Sequence, residues 1–110
     1  MTGKLTIIIL TKNEEKNITN IISNVKTLAD EIFVVDSGST DKTVELAKKS
    51  GAKVIYRALD NDFSAQRNFA INNVQTDWLL FLDADERIDA LLAEQIKKAV
   101  ADKTLKQYSM

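Results

Sequence analysis

Two residue types that would narrow the chemistry are missing from these 110 residues: there is no cysteine and no histidine. Without cysteine there is no disulfide frame and no thiolate metal site. Without histidine the usual general base and the usual zinc ligand are also gone, so any metal must be held by oxygen. A charge of one sign is lacking as well. Fifteen basic and sixteen acidic side chains leave a net charge of -1, and no basic face advertises nucleic acid. The opening Met1-Thr2-Gly3-Lys4 has no signal-peptide architecture, and no apolar run approaches membrane-spanning length. There are no repeats, no low-complexity segments and no internal linker. The expectation is one soluble cytosolic domain, large enough for a real core but near the small end.

What is present is alternation. Leu5 to Leu10 is almost wholly apolar and β-branched and reads as a central strand, ending in the polar loop Thr11 to Glu15. Ile18, Ile21, Ile22, Val25 and Leu28 then recur at helical spacing as an amphipathic stripe. Ile32 to Val35 is a second strand ending at Asp36. The loop Ser37 to Asp41 is rich in residues that bond their own backbone and start helices. Thr43 to Ser50 is a second helix closed by Gly51, and Ala52 to Tyr56 is a shorter strand near an edge. Asp62 or Ser64 caps a third helix reaching about Val74. The apolar run Trp78 to Leu82 is a strand buried on both faces, and a helix capped by Asp89 follows, with Leu92, Ile96 and Ala99 or Val100 inward. Lys103 to Met110 has no pattern. This order predicts an α/β fold with a parallel sheet of about four strands and right-handed crossovers.

No later strand exists to pair with the far edge of the Trp78 strand. An edge so apolar invites association, so the chain is expected either to be the N-terminal part of a longer fold or to pair with a second copy of itself.

The Trp78 strand runs into Asp83-Ala84-Asp85-Glu86. Ligands of open α/β sheets gather at the carboxyl ends of strands. If the chain stays extended, Asp83 and Asp85 point to one side and converge on a hard cation such as Mg²⁺ or Mn²⁺. The other reading of this triplet is an acidic turn closing a strand, with Asp85 or Glu86 starting the next helix. Three polar clusters, Thr11 to Glu15, Asp36 to Asp41 and Asp83 to Glu86, share one rim of a parallel sheet. Arg67 adds a cation, about 200° of helix from the core-facing Phe69 and so pointing away from the core.

Four ordered segments carry a resemblance: Ile7 to Glu15, Val34 to Thr43, Gln66-Arg67-Asn68-Phe69-Ala70, and Phe81 to Glu86. Together, and without a gap from about residue 5 to 100, they resemble the family 2 glycosyltransferases of the Rossmann-like GT-A fold. The Gln66 to Ala70 segment looks closest to members that add glucose-like sugars in lipopolysaccharide-core assembly. Leu10 stands where proline is common in the family and Lys12 where an aromatic residue is common, although threonine-lysine-asparagine looks normal for that branch.

The resemblance implies an inverting transferase that binds a nucleotide-sugar, a UDP-sugar above all, with a divalent metal (Mg or Mn). Thr11, Asn13 and Glu14 would line the nucleotide pocket, Asp36 would contact base or ribose with Ser39 nearby, and Arg67 would meet the diphosphate. Asp83 would face the ribose or a metal-bound water, and Asp85 would hold the cation. It also implies a saccharide or lipid-linked acceptor of the cell envelope and a cytoplasmic site of action, at the inner face of the membrane in a longer protein. In this family the acceptor site and catalytic base come from the C-terminal half of the domain. The chain is therefore expected to be a donor-binding half, an incomplete GT-A domain inactive by itself. A non-catalytic nucleotide-sugar-binding module would use the same pocket. A receiver-like signalling domain needs an acidic pair after the first strand, where Thr11-Lys12-Asn13 stand. A haloacid-dehalogenase reading needs its D-x-D after that same strand.

Overall fold

The computed structural model describes residues 4–57 and 78–101. Within them the chain forms β1 (Leu5–Thr11), α1 (Ile18–Val25), β2 (Glu31–Asp36), α2 (Thr43–Lys49), β3 (Lys53–Tyr56), β4 (Trp78–Asp83) and α3 (Ala90–Ala101). The four strands make one parallel sheet in the order β3-β2-β1-β4. Each predicted strand in the described segments is present, and the short β3 lies at an edge as its weak apolar pattern implied. The third helix expected between Asp62 and Val74 falls outside the described residues.

Side-chain alternation divides the core into two layers. Leu5, Ile7 and Ile9 of β1, Val34 of β2, and Trp78, Leu80 and Leu82 of β4 face one way. Onto them pack Ile18, Ile21, Ile22 and Val25 of α1, Ala47 of α2 and Ile96 of α3. Ile8, Phe33, Val35, Leu79 and Phe81 form the layer on the opposite face. The four α1 residues are all at most 1% exposed, and burying each aliphatic side chain is worth about 1.5–3 kcal/mol. That burial holds an eight-residue helix that would be marginal in isolation. The helix ends at Val25, one turn before Leu28. Leu28 still packs on the core from the turn that follows.

Helix ends follow their sequence signals. After α2 the Gly51 amide donates to the Lys48 carbonyl at 3.1 Å and the Ala52 amide to the Ala47 carbonyl at 3.1 Å, with Gly51 at φ +96°. These are the two bonds of a Schellman cap, whose left-handed residue is cheapest as glycine. At the start of α3 the Leu92 amide donates to Asp89 Oδ1 at 2.7 Å, so Asp89 is the expected cap.

Successive strands β1, β2 and β3 step in one direction, and β4 lies on the other side of β1. The strand order therefore reverses between β1 and β4, and crevices outside the carboxyl ends at such a switch point are where open α/β sheets bind ligands. β4 pairs with β1 alone among the described residues.

Candidate functional site

Parallel register brings the candidate residues to one rim. Thr11 lies opposite Asp36, Leu10 opposite Asp83, and Asp36 opposite Tyr56. By alternation Thr11 and Asp36 share the helix-covered side of the sheet. Asp83 follows Leu79 and Phe81 onto the other side.

Asp36 is the hub of the first half of this rim. It is 2% exposed, and its carboxylate accepts four hydrogen bonds. Thr11 Oγ1 donates to Oδ1 at 2.8 Å and Ser39 Oγ donates to Oδ1 at 2.5 Å. The Gly38 and Ser39 amides donate to Oδ2 at 3.0 and 2.8 Å. Burial alone would raise the Asp36 pKa. The bonds from the Ser39 hydroxyl and amide, from Thr11 and from Gly38 together outweigh it and hold the carboxyl below its ordinary value. Four donors occupy about all the lone pairs a carboxylate offers. A base or ribose reaching this carboxylate would have to displace one of them.

The stitching continues outward. The Asn13 amide donates to Ser39 Oγ at 2.8 Å, and Asn13 Oδ1 accepts from the Thr40 amide at 2.8 Å and from Thr40 Oγ1 at 3.3 Å. Asn13 sits at φ +55°, a conformation that asparagine tolerates better than most residues. The Glu14 amide donates to Thr43 Oγ1 at 2.8 Å, and the Glu15 amide to Asp41 Oδ2 at 3.2 Å. Asp41 in turn accepts from the Thr43 amide at 2.9 Å and from the Thr43 hydroxyl. Thr43 is fully buried. Residues 11–15 and 36–43 are thus one interlocked double loop. Of the nucleotide-pocket candidates, Thr11, Asn13, Asp36 and Ser39 all spend side-chain oxygens on this interlock. Asp41 and Thr43, given no individual role from the sequence, are equal members of it.

The acidic stretch is built differently. The chain does not stay extended past Asp83. It turns at Ala84 and Asp85, with the Glu86 amide donating to the Asp83 carbonyl at 3.0 Å. The Asp83 amide donates to Glu86 Oε1 at 2.7 Å. The alternative reading of an acidic turn describes the backbone, although the next helix waits until Ala90. On either side of the turn, Ala84 and Ile88 are buried in the helix-side core at 1% and 5% exposure. Arg87 Nη1 donates to the Ala84 and Glu86 carbonyls at 2.9 and 2.6 Å.

Asp83, Asp85 and Glu86 are left exposed and close enough to interact. Partial burial first, then the negative charges of Glu86 and Asp85, push the Asp83 pKa above its ordinary value. This is negative potential that the described residues do not neutralise. No three acidic side chains converge as a ready-made metal cage among the described residues. One or two carboxylates completed by phosphate oxygens and water is the usual way Mg²⁺ and its like are held. Asp83 and Asp85 fit that pattern. Arg67, the expected diphosphate contact, lies outside the described residues.

One residue at this turn has no sequence signal at all. Asn24, on the exposed side of α1, donates from Nδ2 to the Ile88 carbonyl at 2.9 Å and accepts from the Ile88 amide through Oδ1 at 2.8 Å.

A parallel sheet with helices alternating along the chain, an order reversal beside β1, and polar loops at the strand ends define a Rossmann-like class of α/β protein. Comparison places the chain within that class. Residues 6–105 match the glycosyl transferase family 2 profile, and the chain belongs to that family. An uncharacterized glycosyltransferase of Rickettsia bellii is 40% identical over 108 residues, covering 98% of this chain and 36% of the relative. The SPbeta prophage-derived glycosyltransferase SunS of Bacillus subtilis is 38% identical over 86 residues, covering 76% of this chain and 20% of that protein. Glucosyl-3-phosphoglycerate synthase of Mycobacterium tuberculosis, solved with Mn²⁺, UDP-glucose and glycerol 3-phosphate, superposes with a TM-score of 0.66 at 26% identity. It covers 76% of this chain and 34% of that one. The sheet is therefore that of a GT-A glycosyltransferase. The chain spans about a third of the length of the Rickettsia and Mycobacterium relatives.

Proposed function

We propose that this chain is the donor-binding part of an inverting glycosyltransferase that takes a hexose from a UDP-sugar with the help of a divalent cation, Mg²⁺ or Mn²⁺. The observation that carries the proposal is the unneutralised acidic turn at the β1/β4 switch point, beside a rigid interlocked double loop. The UDP, Mn²⁺ and UDP-glucose bound by the Mycobacterium synthase lend support.

In this reading Thr11, Asn13, Glu14 and Ser39 line the nucleotide end. Asp36 holds their loops at the base and ribose side, and Arg67 meets the diphosphate. Asp83 and Asp85 hold the metal, with Asp83 also in reach of the ribose or a metal-bound water. A bound dication supplies positive charge where the departing nucleoside diphosphate accumulates negative charge. The acceptor is a saccharide or lipid-linked molecule of the cell envelope, of the kind used in lipopolysaccharide-core assembly, met in the cytoplasm at the inner face of the membrane. The acceptor site and catalytic base lie outside these 110 residues, so the chain alone binds donor without transferring sugar. The outer edge of β4 is where further strands, or a second copy, would add.

The test is thermal unfolding with UDP and UDP-glucose, with and without Mn²⁺, for wild type and Asp85→Asn. Ligand at a hundred times its dissociation constant adds about 2.7 kcal/mol, a rise of roughly ten degrees in a domain this size. A Mn²⁺-dependent rise abolished by Asp85→Asn is the expected result. No rise in wild type, or an undiminished one in the variant, refutes the assignment.

A further inference from the structure

The acidic turn has to be held still, and the structure assigns that task to Asn24: we infer that it is a positioning residue for the metal-binding carboxylates, acting through the backbone of Ile88. The inference rests on the donor-site reading above and adds to it a residue with no ligand contact of its own.

The turn leaves the sheet at Asp83, and residues 84–89 have no strand or helix of their own. Two kinds of anchor replace that support. The Ala84 and Ile88 side chains are sunk in the core. Among the described residues the long-range hydrogen bonds of the turn come from Asn24, 64 residues away, whose amide holds both polar groups of the Ile88 backbone. The pair copies the two-bond exchange of a β-bridge with a side chain in place of a second strand. A single amide that bonds both the N–H and the C=O of one residue fixes orientation as well as distance. Arg87 cannot substitute, because its guanidinium reaches only carbonyls within the turn itself, those of Ala84 and Glu86. Asn24 can hold the turn because α1 is rigid. Ile21, Ile22 and Val25, its neighbours in sequence, are all at most 1% exposed. The metal pair therefore inherits its position from α1, and a site keeps its geometry only as well as its supporting residues do.

Asn24 points out from a helix, so Asn24→Ala should fold, alanine being the best helix former. Asn20→Ala, one turn earlier and also exposed, is the control for losing a surface amide from α1. Two readouts are taken on each protein. Hydrogen exchange of the Ile88 amide and its neighbours in the metal-free chain should speed up at least tenfold in Asn24→Ala and stay unchanged in Asn20→Ala. UDP affinity measured with Mn²⁺ should weaken at least fivefold in Asn24→Ala, while UDP affinity without metal changes less than twofold. A merely structural stitch would lower the melting temperature without dividing the two affinities in this way. Wild type with Mn²⁺-dependent binding, matched by an Asn24→Ala variant with the same metal dependence or an equal loss in both conditions, overturns this inference and leaves the donor site standing. A wild type with no Mn²⁺-dependent binding overturns the donor site and this inference with it.

Discussion

Replacing Asp36 with alanine should be the most damaging single polar change on the rim, and the structure allows its size to be worked out. The substitution deletes the acceptor of four hydrogen bonds from Thr11, Gly38 and Ser39. Hydrogen bonds to a charged group contribute about 1.5–3 kcal/mol each when counted singly. They do not add, and Gly38 and Ser39 are only half-buried, so water recovers much of their loss. Thr11 is 4% exposed, and its hydroxyl is orphaned at about 1–3 kcal/mol. A total near 3 kcal/mol follows, which lowers Tm by roughly 12 °C or more. Urea unfolding followed by circular dichroism measures it. Thr11→Val in the same background should recover about 1 kcal/mol, because it removes the orphan, and the two sites should therefore be coupled. The pH dependence has a definite sign. Asp36 is held below its ordinary value near 3.8, so its contribution is full above that value and is lost as pH falls through the lower folded value. The gap between wild type and Asp36→Ala should narrow in strongly acid solution. A loss below about 1 kcal/mol, strict additivity with Thr11→Val, or a gap that does not narrow as pH falls would refute the hub.

Asp83 carries the opposite sign. Its pKa is raised, so its ionised form opposes folding above the folded value and the opposition vanishes below the ordinary value near 3.8. Metal-free Asp83→Asn should accordingly be at least as stable as wild type at neutral pH, and less able to gain from Mn²⁺; melting with and without the ion checks both. Gly51→Ala should cost about 1–2 kcal/mol through backbone strain alone, since its φ is +96° and a Cβ there meets nothing within 4 Å. Asp89→Ala should cost about 1 kcal/mol by removing the cap of α3, visible in urea unfolding without change in UDP affinity.

Much of the fold was legible because its signals are local. Four isoleucine and valine residues at helical spacing in α1, apolar runs in β1, β2 and β4, Gly51 after α2 and Asp89 before α3 each state their role within a few residues. The rim was legible for a topological reason, since parallel strands must bring Thr11, Asp36 and Asp83 to one side. What the pattern could not display was pairing between distant segments. Nothing near Asn13 reveals that Thr40 bonds its side chain, and nothing near Asn24 reveals Ile88. At Asp83 the sequence left two readings open, an extended pair of acids and an acidic turn. The bonds between Asp83 and Glu86 close the turn.

The rim also separates two uses of the same side chain. Asp36 and Asp83 end neighbouring parts of one sheet, yet their carboxyls are shifted in opposite directions. Asp36 is saturated by donors and lowered in pKa, the condition of a group whose charge is already spent on holding loops together. Asp83 is raised by burial and by Glu86 and Asp85 beside it, the condition of charge kept without a partner among the described residues. A cation arriving at the turn therefore gains attraction that folding has left unused. At Asp36 it would first have to break four hydrogen bonds. The same arithmetic explains why the two halves of the rim need different support. The double loop is rigid through its own hydrogen bonds, whereas a turn of mutually repelling acids must be held from outside. The buried Ala84 and Ile88 side chains and the Asn24 amide supply that hold.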